Sequence, residues 1–377
     1  MLRLIAVLAS VMVVSQARAQ DAPVVIRGGT ILTGDGTVIE GGDLVFSGGK
    51  IDAVGTDIPA PPGASEIDAS GQFVTPGYID AYSHIGLDGR QRWTRESLMA
   101  PSRRLSLSLP PTAESEWLRA GTTTVYVSPG AENLVGGLGT IVKLTGAPLE
   151  EDAALSMSYG ETALRTFAAP TTRQGMVGIV RQTLVNAQED GIAGEDGRVF
   201  AQILFESLPT RMHVNTPDDI LTALRLAVEF DLELILDAAA GAHVVAGDIA
   251  SAGVPVVVGP TIVGLGDGGP YEGFAHTPAN AAILAESGVA IAFGTGDAGR
   301  GRAVAMEALV AKAHGLSAND ALVALTAGAA TILGVSDRIG TLAPGKDADI
   351  VVWSEEPVTT WAETRVVIVD GETVFTR

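Results

Sequence analysis

The middle of this chain alternates between apolar strand candidates and helical segments. Helices are predicted at Pro217–Phe230 and Pro278–Ser287, the latter with Thr277 as its N-cap and Pro278 at the first helical position. The strand candidates between and around such helices are Thr122–Ser128, Thr140–Leu144, Met212–Val214, Leu232–Asp237, Val254–Gly259 and Val289–Gly294. Repeated strand-then-helix units indicate parallel strands, and over this length of chain they predict an α/β fold of the TIM type, a (β/α)8 barrel.

The strand that precedes this series ends on a histidine. The stretch Phe73–Gly89 reads FVTPGYIDAYSHIGLDG, in which Pro76-Gly77 signals a turn and Tyr78–Tyr82 is a short, mostly apolar strand. His84 follows directly at the end of that strand. Catalytic groups of α/β barrels lie at the carboxyl ends of several strands, so His84 is a candidate metal ligand.

Both ends of the chain are β-rich and punctuated by glycine. Residues 24–67 contain VVIRGGTILTGDG and DLVFSGGKIDAVG, and the final part contains DADIVVWSEEP and TRVVIVDGETVF. Neither piece is long enough for a good core, which favours one small β-sandwich built from both ends over two separate β appendages. The predicted organisation is a signal peptide at 1–19, the composite sandwich at 20–72 and 340–377, and the barrel at 73–339.

The N-terminus has the pattern of a secretory signal peptide. Arg3 precedes an apolar run, Leu4–Val14, and the small-residue pattern Ala17-Arg18-Ala19 follows. This predicts a secreted or periplasmic protein that has no contact with the membrane once the signal is removed. An uncleaved anchor is the alternative, but the apolar run is short for a membrane span.

Charge and cysteine content restrict the partners and the metal ligands. The formal net charge of −20 argues against a nucleic-acid partner, which would need a basic face. The chain has no cysteine, so neither disulfides nor thiolate ligands are available. Any metal must therefore be held by histidine, by a carboxylate or by a modified lysine.

Phe73–Gly89 resembles the first barrel strand of the metal-dependent amidohydrolase superfamily, PG-hydrophobic-IDAH-x-H, whose two histidines bind metal. Ile339–Asp349, IGTLAPGKDAD, is similar to the superfamily's usual return into its β-sandwich. The closest likeness is to the imidazolonepropionase-related branch, on the stretches TTTVYVSPGAENLVGGLGTIVKLTG, LSMSYGET and PDDILTALRLAVEFDLELILDA. This resemblance runs from about Val24 to Phe375. It implies a hydrolase of carbon–nitrogen bonds other than peptide bonds, acting on a small amide or cyclic amide through a metal-activated water.

The resemblance also implies a metal site that is only partly retained. His84, His213 and Asp297 match ligand positions at the ends of the first, fifth and eighth strands, and Asp297 also matches the general base. Other residues stand where the superfamily usually has ligands, namely Tyr82, Ser156, Asn215 and Ala238. Two imidazoles and one carboxylate can hold a single divalent ion, with Zn²⁺ the first candidate. A binuclear site is not expected.

Several residues have two interpretations. His276 could replace a lost ligand, although a surface role is favoured, and Lys143 could contact a substrate carboxylate, although a salt bridge is favoured. His243 and His314 fall on helical segments and are expected at the surface. The arginines after the first strand could frame an anionic group, but pairing with nearby acids is favoured for all five: Arg90, Arg92, Arg95, Arg103 and Arg104.

Two functions of different classes follow. The first is an exported hydrolase that acts on a small-molecule substrate. The second is a catalytically silent barrel that binds a ligand or pairs with an intact paralogue as a structural partner. A homo-oligomer is compatible with either. The missing ligands favour the silent barrel, whereas the joint presence of His84, His213 and Asp297 favours the hydrolase.

Overall fold

The computed structural model describes residues 22–87, 98–112, 115–164, 169–189, 191–261, 276–296 and 304–377. Within these ranges the strands are β1 Val24–Leu32, β2 Val38–Ser47, β3 Lys50–Gly55, β4 Ser65–Asp68, β5 Phe73–Pro76, β6 Tyr78–Ser83, β7 Thr122–Val127, β8 Val135–Lys143, β9 Pro148–Ser158, β10 Thr210–Val214, β11 Leu234–Ala238, β12 Val256–Val258, β13 Ile291–Phe293, β14 Ile350–Trp353, β15 Thr364–Val369 and β16 Glu372–Thr376. The α-helices are α1 Glu116–Arg119, α2 Arg173–Glu189, α3 Gly194–Phe205, α4 Pro217–Phe230, α5 Ala246–Ala252, α6 Asn280–Glu286, α7 Val304–Ala313, α8 Ala318–Leu325 and α9 Ala327–Ile332.

Both ends of the chain form one mixed sheet. Its order is β16-β15-β14-β5-β1-β2-β3, and β4 also pairs with β1. The two ends meet where β14 runs antiparallel to β5, with Ile350 opposite Pro76 and Trp353 opposite Phe73. β5 pairs in parallel with β1. The prediction that the two ends build one β unit is therefore confirmed.

The remaining strands form a nearly closed barrel in chain order, from β6 to β13. Alternate residues of its strands belong to different cores. Leu236, Val258 and Phe293 pack in a large cluster with residues of the surrounding helices. Ile235 and Val257 belong to a smaller cluster, together with Ile79, Ala81 and Ala292 of the other strands. This period of two is the pattern of a barrel whose interior is filled by side chains.

One barrel strand has the opposite direction to the one predicted. β8 pairs antiparallel with both β7 and β9, whereas the other paired barrel strands are parallel. The connections explain the difference, because a parallel crossover needs a dozen or more residues and antiparallel strands can be joined by a short turn. Only Leu144–Ala147 separates β8 from β9. The prediction of an entirely parallel barrel is wrong at this strand.

The observed helix ends agree with the sequence prediction for one helix and differ from it for another. α4 spans Pro217–Phe230 as predicted, and the Thr216 side chain caps it by accepting from the backbone N–H of Asp219. α6 differs, because it begins at Asn280 with Ala279 as its N-cap. The hydroxyl of Thr277 accepts from the N–H of Ala279 in a preceding turn, so the prediction of Thr277 as N-cap is wrong.

The prediction that concerns the membrane is the signal peptide at the N-terminus. No helix within the described ranges is long and apolar enough to cross a membrane. The predicted signal peptide at residues 1–19 lies outside the described residues.

We expect a chain that ends at Ala348 to melt at a clearly lower temperature, or to fail to fold. The truncation removes β14–β16, including the fully buried Val351 and Ile368, and leaves β5 without its antiparallel partner. Thermal unfolding followed by circular dichroism measures the effect. Removing only the edge strand from Glu372 onward is the control, with a smaller expected loss. An unchanged melting temperature after the larger truncation would contradict the shared sheet.

Candidate functional site

Polar side chains gather at the carboxyl ends of the barrel strands. The Tyr82 ring lies next to two imidazoles, with ring centroids 5.1 Å from His84 and 5.9 Å from His213. β6 and the residue after it supply Tyr82 and His84, and β10 supplies His213. The cluster, called the candidate site below, consists of Tyr82, His84, Ser128, Ser156, His213, Asn215 and Asp237.

His84 is held in one tautomer. It is buried, and its Nδ1 lies 2.8 Å from the carbonyl oxygen of Ser128. A carbonyl oxygen only accepts, so Nδ1 carries the proton and donates it, and the lone pair of the neutral ring is on Nε2. Histidines that bind metals usually have one ring nitrogen fixed in this way.

His213 has a protein contact at each ring nitrogen. Its Nδ1 lies 3.1 Å from the Tyr82 hydroxyl, and its Nε2 lies 3.3 Å from Nδ2 of Asn215. The other end of the Asn215 amide accepts from the backbone N–H of Ala240 at 3.4 Å, which turns Nδ2 towards the imidazole. Because an amide N–H₂ only donates, Nε2 of His213 accepts, and Nδ1 of the neutral ring donates to Tyr82.

Three hydroxyl groups of the candidate site and the barrel interior form a chain of hydrogen bonds. The hydroxyl oxygen of Ser156 lies 3.0 Å from that of Ser128 and 3.2 Å from that of Tyr126. Burial raises the pKa of Tyr126 to about 12, so its phenol stays protonated at neutral pH. Ser128 therefore has two roles, since its backbone carbonyl fixes His84 and its side chain joins the hydroxyl chain.

A buried ion pair lies on the inner face of the same strands. Arg211, two residues before His213, is only 1% exposed and donates to the Asp237 carboxylate at 2.5 and 3.0 Å. Its Nη2 also donates to the carbonyl of Ala81 at 2.7 Å, and its guanidinium lies 3.9 Å from the centroid of the Tyr126 ring. Burial alone would lower the pKa of Arg211, but the adjacent carboxylate of Asp237 raises it, so the side chain stays charged.

Little open space remains between the described side chains. Tyr82, Ser128, Ser156, His213 and Asp237 help to line a cavity of about 10 Å³, which is enough for roughly one water molecule. The described part of the candidate site is therefore a packed polar cluster with room for about one water-sized ligand.

Known proteins with a similar sequence or fold are amidohydrolases. A model described as Amidohydrolase family matches residues 212–374. The crystal structure of amidohydrolase from Thermotoga maritima MSB8 superposes with a TM-score of 0.82 and 29% identity, covering 94% of this chain and 100% of that one. The chain is therefore similar to amidohydrolases, in sequence over its C-terminal part and in fold over nearly its whole length.

Two curated members of the superfamily are more distant relatives. Amidohydrolase tasK of Hapsidospora irregularis is 26% identical over 372 residues, which cover 84% of this chain. This chain spans only 38% of the length of that relative. Imidazolonepropionase of Mesorhizobium japonicum (strain LMG 29417 / CECT 9101 / MAFF 303099) is 26% identical over 351 residues, covering 79% of this chain and 81% of the relative.

Amidohydrolases usually depend on metal, and two histidines of the candidate site are possible ligands. The lone pair at Nε2 suits His84 to the role, whereas Nε2 of His213 faces the amide of Asn215. Within the part of the chain that the structure describes, no three His, Asp or Glu residues are grouped to hold an ion. Asp297, the third predicted ligand, lies outside the described residues. Among the described candidates, only His84 has the Nε2 lone pair that a metal ligand needs without displacing the Asn215 amide.

The other candidate residues are distributed around the fold. His276 is half-buried before α6, and His314 is exposed after α7, as predicted. His243 is half-buried in a 3₁₀ turn, so its prediction as a surface residue on a helix is only partly right. Arg104 forms a surface pair with Asp152, the favoured interpretation for that arginine. Three of the arginines fall outside the described residues: Arg90, Arg92 and Arg95.

Lys143 is a structural residue and not part of the candidate site. Its ammonium is 1% exposed and forms salt bridges with Asp347 at 2.8 Å, with Asp349 at 3.2 Å and with Asp370. Burial alone would lower the pKa of Lys143, but these carboxylates raise it. The salt-bridge interpretation is confirmed, and the interaction ties barrel strand β8 to the sheet formed by the chain ends.

Sequence reasoning missed Arg211 and Asp237. The signal was present, because Arg211 occupies the same strand face as His213, at the strand period of two. A charged residue at such an inward position of an otherwise apolar strand needs a buried partner. The partner could have been found in Leu234–Ala238, where Asp237 is the one charged residue.

We expect Lys143→Ala to lower the free energy of unfolding by about 3–5 kcal/mol, because it leaves the buried carboxylate of Asp349 without its cation, although Asp347 keeps Lys50 and Arg338. Urea denaturation measures the change. Arg104→Ala is the matched control, since it breaks an ion pair whose side chains are 53% and 35% exposed. Its expected cost is about 1 kcal/mol or less. Equal effects of the two substitutions would contradict the structural role of Lys143.

Proposed function

We propose that the chain is a hydrolase of carbon–nitrogen bonds other than peptide bonds, acting on a small amide or cyclic amide. A single divalent ion, with Zn²⁺ the first candidate, is part of this proposal. The observation that carries it is that His84 and His213 both lie next to the Tyr82 ring at the barrel mouth. Similarity to amidohydrolases supports the reaction class, and the distant likeness to imidazolonepropionase supports a cyclic amide as substrate.

The proposed mechanism gives each residue a role. His84, His213 and Asp297 would hold the ion, which when bound supplies the Lewis acidity that activates a water. Asp297 would take a proton from that water on its carboxylate and return it to the leaving amine. The Ser128 carbonyl keeps the proton of His84 on Nδ1, and the Tyr82 hydroxyl orients His213 through its Nδ1.

We also propose that the site is a reduced form of a binuclear one. Tyr82, Ser156, Asn215 and Ala238 would stand at positions where relatives carry ligands. The contacts of Tyr82 and Ser156 support this, because both side chains are held in a hydrogen-bonded network within the protein. The cavity of about 10 Å³ that the described side chains leave beside them has room for about one water.

A silent barrel is the second candidate function. It is favoured by the contact that His213 makes at each ring nitrogen, since metal binding at Nε2 would have to displace the Asn215 amide. In this case the chain would bind a ligand without turnover or act as the structural partner of an intact paralogue. Metal content separates the two functions.

We expect at most one ion per chain, because the proposed ligands are two imidazoles and one carboxylate. His213→Ala should remove most of the affinity for Zn²⁺, whereas His314→Ala, which changes an exposed histidine, should not. Occupancy should fall as the pH drops through the histidine range, since imidazole must be neutral to bind metal. Elemental analysis and competition titration with a chelator measure both effects. Two ions per chain would contradict the single-ion site, and none under any condition would favour the silent barrel.

We further propose export with cleavage after Ala19, which would give a mature chain that begins at Gln20. The apolar run and the small-residue pattern before this point support it. N-terminal sequencing of protein from the periplasm or the medium is the measurement. Exported protein that begins at Met1 would contradict the cleavage.

A further inference from the structure

We infer that Asp80 is a positioning residue of the proposed site. Its carboxylate fastens the carboxyl end of the eighth barrel strand, β13, to the first strand, β6. The inference rests on the proposed function in so far as the site binds a metal. The fastening itself can be tested without metal.

The barrel closes at a place where regular strand pairing is replaced by other contacts. The sheet ends with β6 on one side and β13 on the other, and no ladder of backbone pairs joins the two in the described residues. A backbone bond spans the gap, from the N–H of Gly296 to the carbonyl of Tyr82 at 2.8 Å. The β6–β13 seam therefore depends on a few individual hydrogen bonds.

Asp80 supplies two further hydrogen bonds across the seam, both to Thr295. One oxygen, Oδ1, accepts from the backbone N–H of Thr295 at 3.0 Å and from that of Tyr82 at 3.3 Å. The other, Oδ2, accepts from the Thr295 hydroxyl at 2.6 Å. A single carboxylate thus binds the ends of both strands at once.

The position of Asp80 is costly for a carboxylate. The residue is fully buried, and this burial raises its pKa to about 7, although the hydrogen bonds from Thr295 act in the opposite direction. A buried polar group is stable only when its hydrogen bonds are made, and here three donors converge on it. An apolar side chain would avoid the cost but would leave the N–H and hydroxyl of Thr295 without this acceptor.

The seam is adjacent to the residues of the proposed site on both strands. Tyr82 and His84 follow Asp80 on the first strand, and Asp297 comes directly after Gly296 in the sequence. The strands also approach closely, since a Cβ added to Gly294 would lie 2.5 Å from the Cβ of Tyr82. Residues that orient metal ligands from outside the coordination sphere typically change metal affinity by about 10–100-fold when they are replaced. Loosening the seam should therefore weaken Zn²⁺ binding.

Two pairs of substitutions test the inference. Asp80→Ala removes every bond to Thr295, and Thr295→Val removes only the one from the hydroxyl. The conservative partners are Asp80→Asn and Thr295→Ser. An asparagine amide can accept from the Thr295 N–H and donate to its hydroxyl, and serine retains the hydroxyl. The control is Asp43→Ala, which removes a carboxylate that accepts from Gly28 and Ile58 in the end sheet, away from the barrel.

Two measurements are made on the full chain. Amide hydrogen exchange, followed in peptides that cover residues 291–296 and 78–83, reports the seam without any metal. Competition titration with Zn²⁺ reports the site. We expect faster exchange in both peptides and about 10–100-fold weaker Zn²⁺ binding for Asp80→Ala. Thr295→Val should show smaller changes in the same direction, and both conservative variants should resemble the wild type.

The outcomes separate this inference from the proposed function. Unchanged exchange in both Asp80→Ala and Thr295→Val would overturn the fastening. Faster exchange with unchanged Zn²⁺ affinity would overturn the positioning role, and so would an equal loss of affinity in Asp43→Ala. If the wild type binds no Zn²⁺, the proposed metal site fails, and the exchange measurement alone still decides whether Asp80 holds the seam.

Discussion

The barrel of this protein is organised by the need to fill its interior. Eight strands enclose a space just wide enough for side chains, and every inward position must fit against its neighbours. On one layer this is done with apolar residues such as Ile79, Ile235 and Val257. At another inward position it is done with Arg211, which stacks on Tyr126 and pairs with Asp237. The polar candidate site is built on top of this layer.

Filling a barrel with charged residues is tolerated only when each charge has a partner. Arg211 contacts a carboxylate, a backbone carbonyl and an aromatic face, and Lys143 is surrounded by three carboxylates at the boundary with the end sheet. The two cations differ in what they connect. Arg211 joins neighbouring strands within the barrel, whereas Lys143 joins the barrel to the last strands of the chain. Buried ion pairs add little net stability but are costly to break, so both mainly enforce one arrangement.

Much of the fold could be predicted because its signals are local or periodic. The helix Pro217–Phe230 has a capping threonine followed by proline, and the strands that end at Val214 and Ala238 are short apolar runs. The direction of β8 was not predictable from periodicity, because an apolar strand looks the same in either direction. Its direction is set by the short turn to β9, and the glycines of Val135–Lys143 obscured where the strand begins.

The sequence predicted the two histidines of the candidate site, but it did not predict the groups that contact them. His84 stands at the end of an apolar strand, which any parallel barrel would place at the mouth. The acceptor that fixes it, the backbone carbonyl of Ser128, has no signature in the sequence, because every residue carries a carbonyl. The contact between Tyr82 and His213 joins residues 131 positions apart, and only the closed barrel brings them together.

Tyr82 contacts both histidines of the candidate site. A phenol is longer than an imidazole, and its hydroxyl reaches Nδ1 of His213 while its ring remains against His84. Tyrosine thus occupies the space between the two imidazoles and satisfies the N–H of one of them. A smaller apolar residue at this position would leave that N–H without an acceptor and open a void between the rings. The histidines can therefore keep their orientations with or without an ion, and an arriving ion would find the His84 ring already oriented.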